Sequence, residues 1–244
     1  MLLEICIDSV EGAIAAQAGG AQRVELCDNL IEGGTTPSIG MIALVRRQIQ
    51  IGLNVIIRPR GGDFLYSDLE FEVMQHDLLA AKAAGADGIV LGLLNADGTI
   101  DSARTASLIA QARPLPVTFH RAFDMTPDPF AALESLIDLG VDRLLTSGQQ
   151  ATAGEGLPLI KALLQRAKER IIIMPGGGSE QSARQLVETG VREIHISARS
   201  LLHSQMQFRR TNVLMGGPPM PDEFTLKRTD VEKVRAVWKL VSND

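Results

Sequence analysis

Acidic residues and cysteines alternate with aliphatic residues in two short stretches near the amino terminus. Residues 3–8 read Leu-Glu-Ile-Cys-Ile-Asp, and residues 24–29 read Val-Glu-Leu-Cys-Asp-Asn. Because a β-strand directs successive side chains to opposite faces, each stretch has one aliphatic face and one polar face.

On adjacent parallel strands, Cys6 and Cys27 would lie about one strand spacing apart, ~4.8 Å. Thiolates at this spacing could bind a soft ion such as Cu(I). Alternatively, each cysteine is a small buried hydrophobic residue.

Residues suited to proton transfer and anion binding fall on other predicted strands. Arg58 and Arg60 share one face, and two guanidinium groups suit a carboxylate or a phosphate. His120 ends a predicted strand, and its neutral imidazole could act as a general base, while Glu4 or Glu25 could also transfer protons. The alternatives are an internal ion pair, such as Glu25 with Arg58, and a histidine that only packs in the core.

Glycine-rich loops follow the sixth and seventh predicted strands. Glycine lets backbone N–H groups approach an anion, and a helix amino terminus adds partial positive charge. We therefore predict an anion site at these loops and at the end of the eighth strand, with a tight turn that needs glycine for its geometry alone as the alternative. The candidate anion-binding residues are Arg58, Arg60, Ser147, Gly148, Gly176, Gly177, Gly178, Ser197 and Arg199.

Strands and amphipathic helices alternate along most of the chain, which predicts βαβ units and a parallel sheet. We place strands at about 2–8, 23–28, 54–59, 88–94, 116–121, 143–147, 170–175 and 193–197. Helices are expected near 10–18, 39–51, 68–84, 101–112, 129–139, 156–168 and 180–189. A variant of one glycine-led turn precedes the second, fourth, sixth and eighth strands, at Gly20, Gly85, Gly140 and Gly190. This regularity favours a closed TIM (βα)₈ barrel over an open sheet with a separate C-terminal module, and a barrel site lies at the carboxyl ends of the strands.

The carboxyl-terminal part of the chain departs from this alternation. We expect a single domain over residues 1–244, with the barrel at about 1–200 and an extension at about 201–244. Leu201–Lys227 is predicted to be irregular, and a terminal helix is predicted at about Thr229–Val241. A long irregular segment either binds a partner or forms a strap across the barrel wall.

The composition limits the classes of partner and the compartment. The chain has 244 residues, a hydrophobic fraction of 45% and a net charge of −5, which argues against nucleic acid or an anionic membrane as the main partner. The amino terminus does not have the pattern of a signal peptide. The two cysteines are too few for a disulfide framework, so we expect reduced thiols and a cytoplasmic location.

Motifs throughout the first 200 residues resemble those of the CutC family, which is named for copper homeostasis. The matching stretches are Cys6-Ile7-Asp8-Ser9-Val10-Glu11, Glu25-Leu26-Cys27-Asp28, Glu32-Gly33-Gly34-Thr35-Thr36-Pro37-Ser38, Ile57-Arg58-Pro59-Arg60-Gly61-Gly62-Asp63-Phe64, Thr118-Phe119-His120-Arg121-Ala122-Phe123-Asp124, Leu145-Thr146-Ser147-Gly148, Gly176-Gly177-Gly178 and Glu193-Ile194-His195-Ile196-Ser197-Ala198. The resemblance implies a cytoplasmic TIM barrel that forms a homo-oligomer, a dimer or a tetramer, and that handles copper. It also implies Cys6 and Cys27 as Cu(I) ligands.

Two main functions follow from these residues. The first is copper homeostasis, with Cu(I) bound by the paired cysteines at the barrel mouth. The alternative is a TIM-barrel enzyme acting on a small anionic or phosphorylated metabolite, with Glu4, Glu25 and His120 as catalytic candidates. A third interpretation, a scaffold for partner proteins, rests only on the C-terminal segment.

Overall fold

The chain folds into a nearly closed barrel of eight parallel strands with helices between them, which confirms the predicted TIM-barrel fold. The computed structural model describes residues 1–177, 180–210, 212–213 and 223–242, with the backbone alone at 180 and 181. The strands are β1 (Leu2–Ile7), β2 (Arg23–Leu26), β3 (Gly52–Ile56), β4 (Gly88–Leu91), β5 (Val117–Phe119), β6 (Arg143–Thr146), β7 (Ile172–Pro175) and β8 (Glu193–Ile196). The helices between them are α1 (Val10–Ala18), α2 (Ile39–Gln48), α3 (Asp68–Ala83), α4 (Ser102–Ala112), α5 (Pro129–Asp138), α6 (Leu157–Ala167) and α7 (Glu180–Val187).

The order of the strands brings the two ends of the sheet together. β1 to β7 are neighbours in sequence order, and β8 pairs with the free edge of β1. Gly176, which follows β7, forms a parallel bridge with His195 in β8. The carboxyl ends of all eight strands therefore surround one mouth, where residues distant in sequence can meet.

Side-chain alternation divides the strands into an outer and an inner face, as the sequence predicts. Leu3, Ile5 and Ile7 of β1 are fully buried in the main hydrophobic core, together with residues of the surrounding helices. The inner face forms a separate cluster that includes Cys6 and Cys27. The acids, thiols and arginines that share the inward parity are thus available for a site inside the barrel.

Local signals define most helix ends. Ser67 followed by Glu70 predicts a capping box before α3, and the box is present: the Ser67 side chain accepts from the backbone of Glu70, and the Glu70 side chain accepts from the backbone of Ser67. Serines also precede α2 and α7 where an N-cap is expected; Ser38 caps α2, and Ser179 lies outside the described residues. The four turns that lead into β2, β4, β6 and β8 each place their glycine at positive φ, three residues before the strand.

The C-terminal segment contains more regular structure than the sequence indicates. β9 (Arg199–His203) and β10 (Thr225–Thr229) form an antiparallel pair at the two ends of the segment predicted to be irregular. These strands pair across more than twenty residues, which local sequence patterns do not report. The helix α8 (Val231–Val241) then packs against α1, α7 and β1, where it completes the outer ring.

Among the residues that the structure describes, none of the helices combines the length and the apolar character needed to cross a lipid bilayer.

Candidate functional site

A buried network of ion pairs crosses the amino-terminal end of the barrel interior. Arg23, Arg143 and Glu193 are the first residues of β2, β6 and β8. The Glu193 carboxylate accepts from Arg143 Nε at 2.5 Å and Nη2 at 2.9 Å, and also from Arg23. Arg23 donates to Glu4 as well, and Arg143 donates to Thr118 Oγ1 at 3.2 Å. Because breaking a buried pair leaves an uncompensated charge, this network holds the layer above it in position.

His195 lies between two carboxyl groups in the next layer. Its Nδ1 is 2.8 Å from Glu4 Oε1, and its Nε2 is 3.5 Å from Glu25 Oε2. Burial alone would raise the pKa of Glu4, but the hydrogen bond with His195 and the charge of Arg23 outweigh burial and lower this pKa to about 2. Glu4 is therefore an ionised partner that orients the His195 ring.

Glu25 and His195 are suited to exchange a proton. Burial raises the pKa of Glu25 to about 8. Burial disfavours a charged His195, but the neighbouring Glu25, Cys6 and Glu4 together raise its pKa well above the usual value. Two adjacent groups that can each hold a proton near neutral pH form an acid–base pair.

The two thiols lie side by side above this layer. The Sγ atoms of Cys6 and Cys27 are 3.7 Å apart, and both residues are buried and free of disulfide bonds. A hydrogen bond from Cys27 lowers the pKa of Cys6 to about 6, despite burial. The same interaction, together with burial, raises the pKa of Cys27 well above its usual value. The pair thus holds one thiolate and one thiol at neutral pH.

The donors around the thiols fit a soft metal ion. Two sulfur atoms that bind the same ion, each at ~2.3 Å, can be no more than ~4.6 Å apart. The separation of 3.7 Å between the Cys6 and Cys27 sulfur atoms is within this limit. A carboxylate oxygen of Glu25 lies within 4.8 Å of both sulfur atoms. Cys6 and Cys27 could therefore hold the ion, with Glu25 as a third ligand.

A cavity of about 300 Å³ opens above the thiols at the mouth of the barrel. Its polar walls include Cys6, Glu25, Glu32, Arg58, His120, Arg121, Asp124 and His195, and its apolar walls include Ile56, Phe64, Met125 and Leu145. This volume is at the small end of the range for ligand pockets. Of the predicted site residues, Cys6, Glu25, Arg58 and His120 line it directly, while Glu4 and Cys27 contact residues that do.

His120 presents a hydrogen-bond donor in this cavity. Its Nδ1 accepts from the backbone N–H of Ala122 at 3.1 Å, so Nε2 carries the ring hydrogen in the neutral form. Burial and the charge of Arg58 lower the pKa of His120 to about 3, which keeps the ring neutral. The catalytic role predicted for His120 stays a prediction, and in this tautomer Nε2 is a donor and not a base.

Arg58 connects the loops at the mouth. Its Nη1 donates to the carbonyl oxygens of Glu32 at 2.8 Å and Gly34 at 2.7 Å, and its Nη2 donates to that of Gly62 at 2.8 Å. The guanidinium also lies over the Phe64 ring, with Cζ 5.1 Å from the centroid. Arg58 therefore binds backbone oxygens, and the ion pair with Glu25 considered from the sequence does not form.

The loop that follows β6 already holds an anion, which is a carboxylate of the protein itself. Asp124 Oδ2 accepts from the backbone N–H of Ser147 at 3.0 Å and from its hydroxyl at 2.9 Å. Asp124 Oδ1 accepts from the Thr146 hydroxyl at 2.5 Å and from the N–H of Gln149 at 3.1 Å. Asp124 also pairs with Arg121 at 2.8 Å. An external anion at this loop would have to displace Asp124.

Several predicted anion-binding residues lie away from the cavity. Arg60 turns outward to Glu70 at 2.5 Å and to Asp63 at 3.1 Å. Arg199 pairs with Asp8 at 2.6 Å on the wall of a separate groove. The remaining ones, Ser147, Gly148, Gly176, Gly177 and Ser197, are not among the residues that line the cavity, and Gly178 lies outside the described residues.

The structure adds three polar residues to the interior that the sequence did not single out as candidates. Arg23 and Arg143 support the site from below, and Asn54 donates to Glu4 at 3.1 Å. His195, on the inner face of β8, lies between the carboxyl groups of Glu4 and Glu25. Arg23 and Asn54 share the inward parity of their strands, and that parity was the available signal.

Comparisons with known proteins give one family. The CutC family model matches residues 1–200. The human copper homeostasis protein cutC homolog is 54% identical over 244 residues, which cover 99% of this chain and 89% of that protein. A CutC family protein from Chromobacterium violaceum is 51% identical over 238 residues, covering 97% of this chain and 96% of that protein.

Solved structures agree with the fold. A CutC protein from Streptococcus agalactiae has a TM-score of 0.75 at 38% identity, covering 81% of this chain and 98% of that chain. Thiamine phosphate pyrophosphorylase from Pyrococcus furiosus has a TM-score of 0.61 at 16% identity, covering 99% of this chain and 96% of that chain, and shares the fold alone.

Proposed function

The chain belongs to the CutC family, and from this premise we propose that it binds Cu(I) through Cys6 and Cys27 as part of copper homeostasis. The observation that carries the proposal is the 3.7 Å separation of the two sulfur atoms inside the barrel. Thiolates select Cu(I) over harder ions. In this role copper is the ion that the protein handles, and not a resident cofactor.

The neighbouring residues support the proposal through charge and protonation. Cys6, with its pKa of about 6, is largely ionised at neutral pH, whereas Cys27 keeps its proton. Since a thiol must lose its proton to bind a metal, we expect the release of about one proton per copper ion near pH 7. Glu25 lies close enough to both sulfur atoms to add a ligand.

Anaerobic titration with Cu(I) against a competing chelator tests the proposal. We expect one ion per chain for the wild type, and loss of this binding in Cys6→Ser/Cys27→Ser. The single variants should each bind weakly. His120→Gln is the matched control, because His120 lines the same cavity and offers no sulfur. Stoichiometric binding that survives in the double serine variant would end the proposal.

A second candidate function is an enzyme that acts on a small anionic metabolite. It is favoured by one observation, the cavity in which Arg58 and His120 lie together with the Glu25–His195 pair. A screen of metabolites by thermal shift, with and without Cu(I), tests it, since specific binding raises the apparent stability. Turnover of a stabilising metabolite is expected, and a screen without any stabilising anion would count against it.

We also propose a cytoplasmic location and a homo-oligomer, a dimer or a tetramer. The two free, buried cysteines support a reducing compartment. Exposed apolar side chains near β9, including Leu201, Leu202 and Phe208, support contact between copies of the chain. Analytical ultracentrifugation of the wild type and of Leu201→Lys tests the assembly, and a wild type that sediments as a monomer would refute it.

A further inference from the structure

We propose that Arg58 and His120 bind a small monocarboxylate in the cavity above the thiols, which names the ligand class of the second candidate function and rests on it. The carboxylate site shares the cavity with the cysteine pair but uses different donors, and it does not require a metal. Two buried polar atoms, Arg58 Nε and His120 Nε2, have no hydrogen-bond partner within the protein.

His120 provides the first of these atoms. The residue is only 5% exposed, it lines the cavity, and Nε2 has no hydrogen-bond partner. Since Nδ1 accepts from the Ala122 N–H, Nε2 is a donor. A buried donor without a partner is costly, and an oxygen atom of a ligand would satisfy it.

Arg58 provides the second atom and the charge. It is also 5% exposed and lines the cavity, and its Nε has no partner. Its terminal nitrogens donate to backbone carbonyl oxygens, and none of the described carboxylates forms an ion pair with it. Carbonyl oxygens satisfy hydrogen bonds but do not neutralise a cation, so a buried positive charge remains for an anion to balance.

Two residues hold these donors in position. The Phe64 ring packs against both, with its centroid 5.1 Å from the His120 centroid and 5.1 Å from Arg58 Cζ. Gly92, directly after β4, lies so close to the His120 ring that a Cβ atom there would overlap it. Because Gly92 has no side chain, the His120 ring packs directly against its backbone, which fixes the position of the ring. A binding site requires donors that are fixed in this way.

The charges around the cavity favour a monoanion over a phosphate. Arg121, the other arginine in the wall, is already paired with Asp124. Glu25 and Glu32 add carboxyl groups to the same wall. One unpaired positive charge beside acidic groups suits a singly charged carboxylate, whereas a phosphate dianion would be repelled. Ile56, Phe64, Met125 and Leu145 can cover a short hydrocarbon tail.

The test uses the full chain with ¹⁵N-labelled histidine rings, titrated with propionate, with chloride and with inorganic phosphate. We expect propionate alone to shift the His120 Nε2–H resonance in a saturable way. His120→Leu removes the donor, and we expect it to weaken propionate binding, measured by calorimetry, by about tenfold. Arg58→Met should weaken it at least as much. Because Arg58 also joins loops, Arg58→Lys, which keeps the charge, serves as the variant expected to retain part of the binding.

A control variant shows whether the effect is local to the cavity. His76→Leu, on the exposed face of α3, should bind propionate as the wild type does. A His120 resonance that does not respond to propionate would overturn the proposal. It would also be overturned by a preference for phosphate, or by equal affinity in the wild type and His120→Leu. Propionate binding without turnover of any metabolite would leave the site in place and remove the enzymatic function.

Discussion

Replacing His120 by Gln should change how the stability of the protein depends on pH. In the native protein, burial and the charge of Arg58 lower the pKa of His120 to about 3, against an ordinary value of 6.5. The unfolded chain therefore binds a proton at this residue that the native protein does not bind. Below about pH 6.5 the native state loses stability through this group, and the loss continues until the pH reaches the native pKa.

The size of the effect follows from proton linkage. One pKa unit corresponds to about 1.36 kcal/mol. Between pH 7 and pH 5, His120 stays neutral in the native protein, while the unfolded histidine becomes almost fully protonated. The free energy of unfolding should therefore fall by about 1.9 kcal/mol through this group alone. Glutamine has no proton to gain, so His120→Gln should lack this contribution.

Urea denaturation of both proteins between pH 5 and pH 7 measures the effect. The quantity to compare is the stability of the wild type minus that of His120→Gln, in which the other titrating groups largely cancel. We expect this difference to fall by about 2 kcal/mol towards pH 5. His76→Gln removes an exposed histidine and should not reproduce the trend. A difference that stays constant across the range would refute a neutral, buried His120.

Three further predictions concern groups that support the site. Arg23→Met should lower the free energy of unfolding, measured by urea titration, by roughly 3–5 kcal/mol, because two buried carboxylates lose a partner. The control Arg46→Met removes a partly exposed ion pair and should cost less than about 1 kcal/mol in the same titration. Gly92→Ala should displace the His120 ring and lower the free energy of unfolding by roughly 1–3 kcal/mol. The control Gly40→Ala, in a helix with room for a methyl group, should be neutral or stabilising. Equal stability of the two variants would contradict the close approach of the Gly92 backbone to the His120 ring. Asp124→Asn should speed amide hydrogen exchange in the loop after β6 by at least about tenfold, because the backbone N–H groups of this loop lose hydrogen bonds to a charged carboxylate. Unchanged exchange would show that the loop does not depend on the Asp124 carboxylate.

The local pattern of the chain was sufficient for the barrel itself. Period-two alternation identified the aliphatic outer faces and the polar inner faces, and serine caps and glycine turns marked helix ends, since these signals depend only on nearby residues. The same alternation predicted that Glu4, Cys6, Glu25 and Cys27 would face inward, and they do. Strand ends were predicted less well: the third strand was placed at about 54–59 but ends at Ile56, so Arg58 and Arg60 lie in the loop that follows it.

Which inward residues meet was decided by closure of the barrel. His195 reaches Glu4 across 191 positions of sequence, and Asp124 fills the loop after β6, because the strand register and the ring bring these segments together. Arg58 and Arg60 share a pattern in sequence, yet one lines the cavity and the other pairs with Glu70 outside it. Alternation specifies the face of a side chain, whereas its partners and its charge state depend on non-local packing and burial, which exist only in the folded protein.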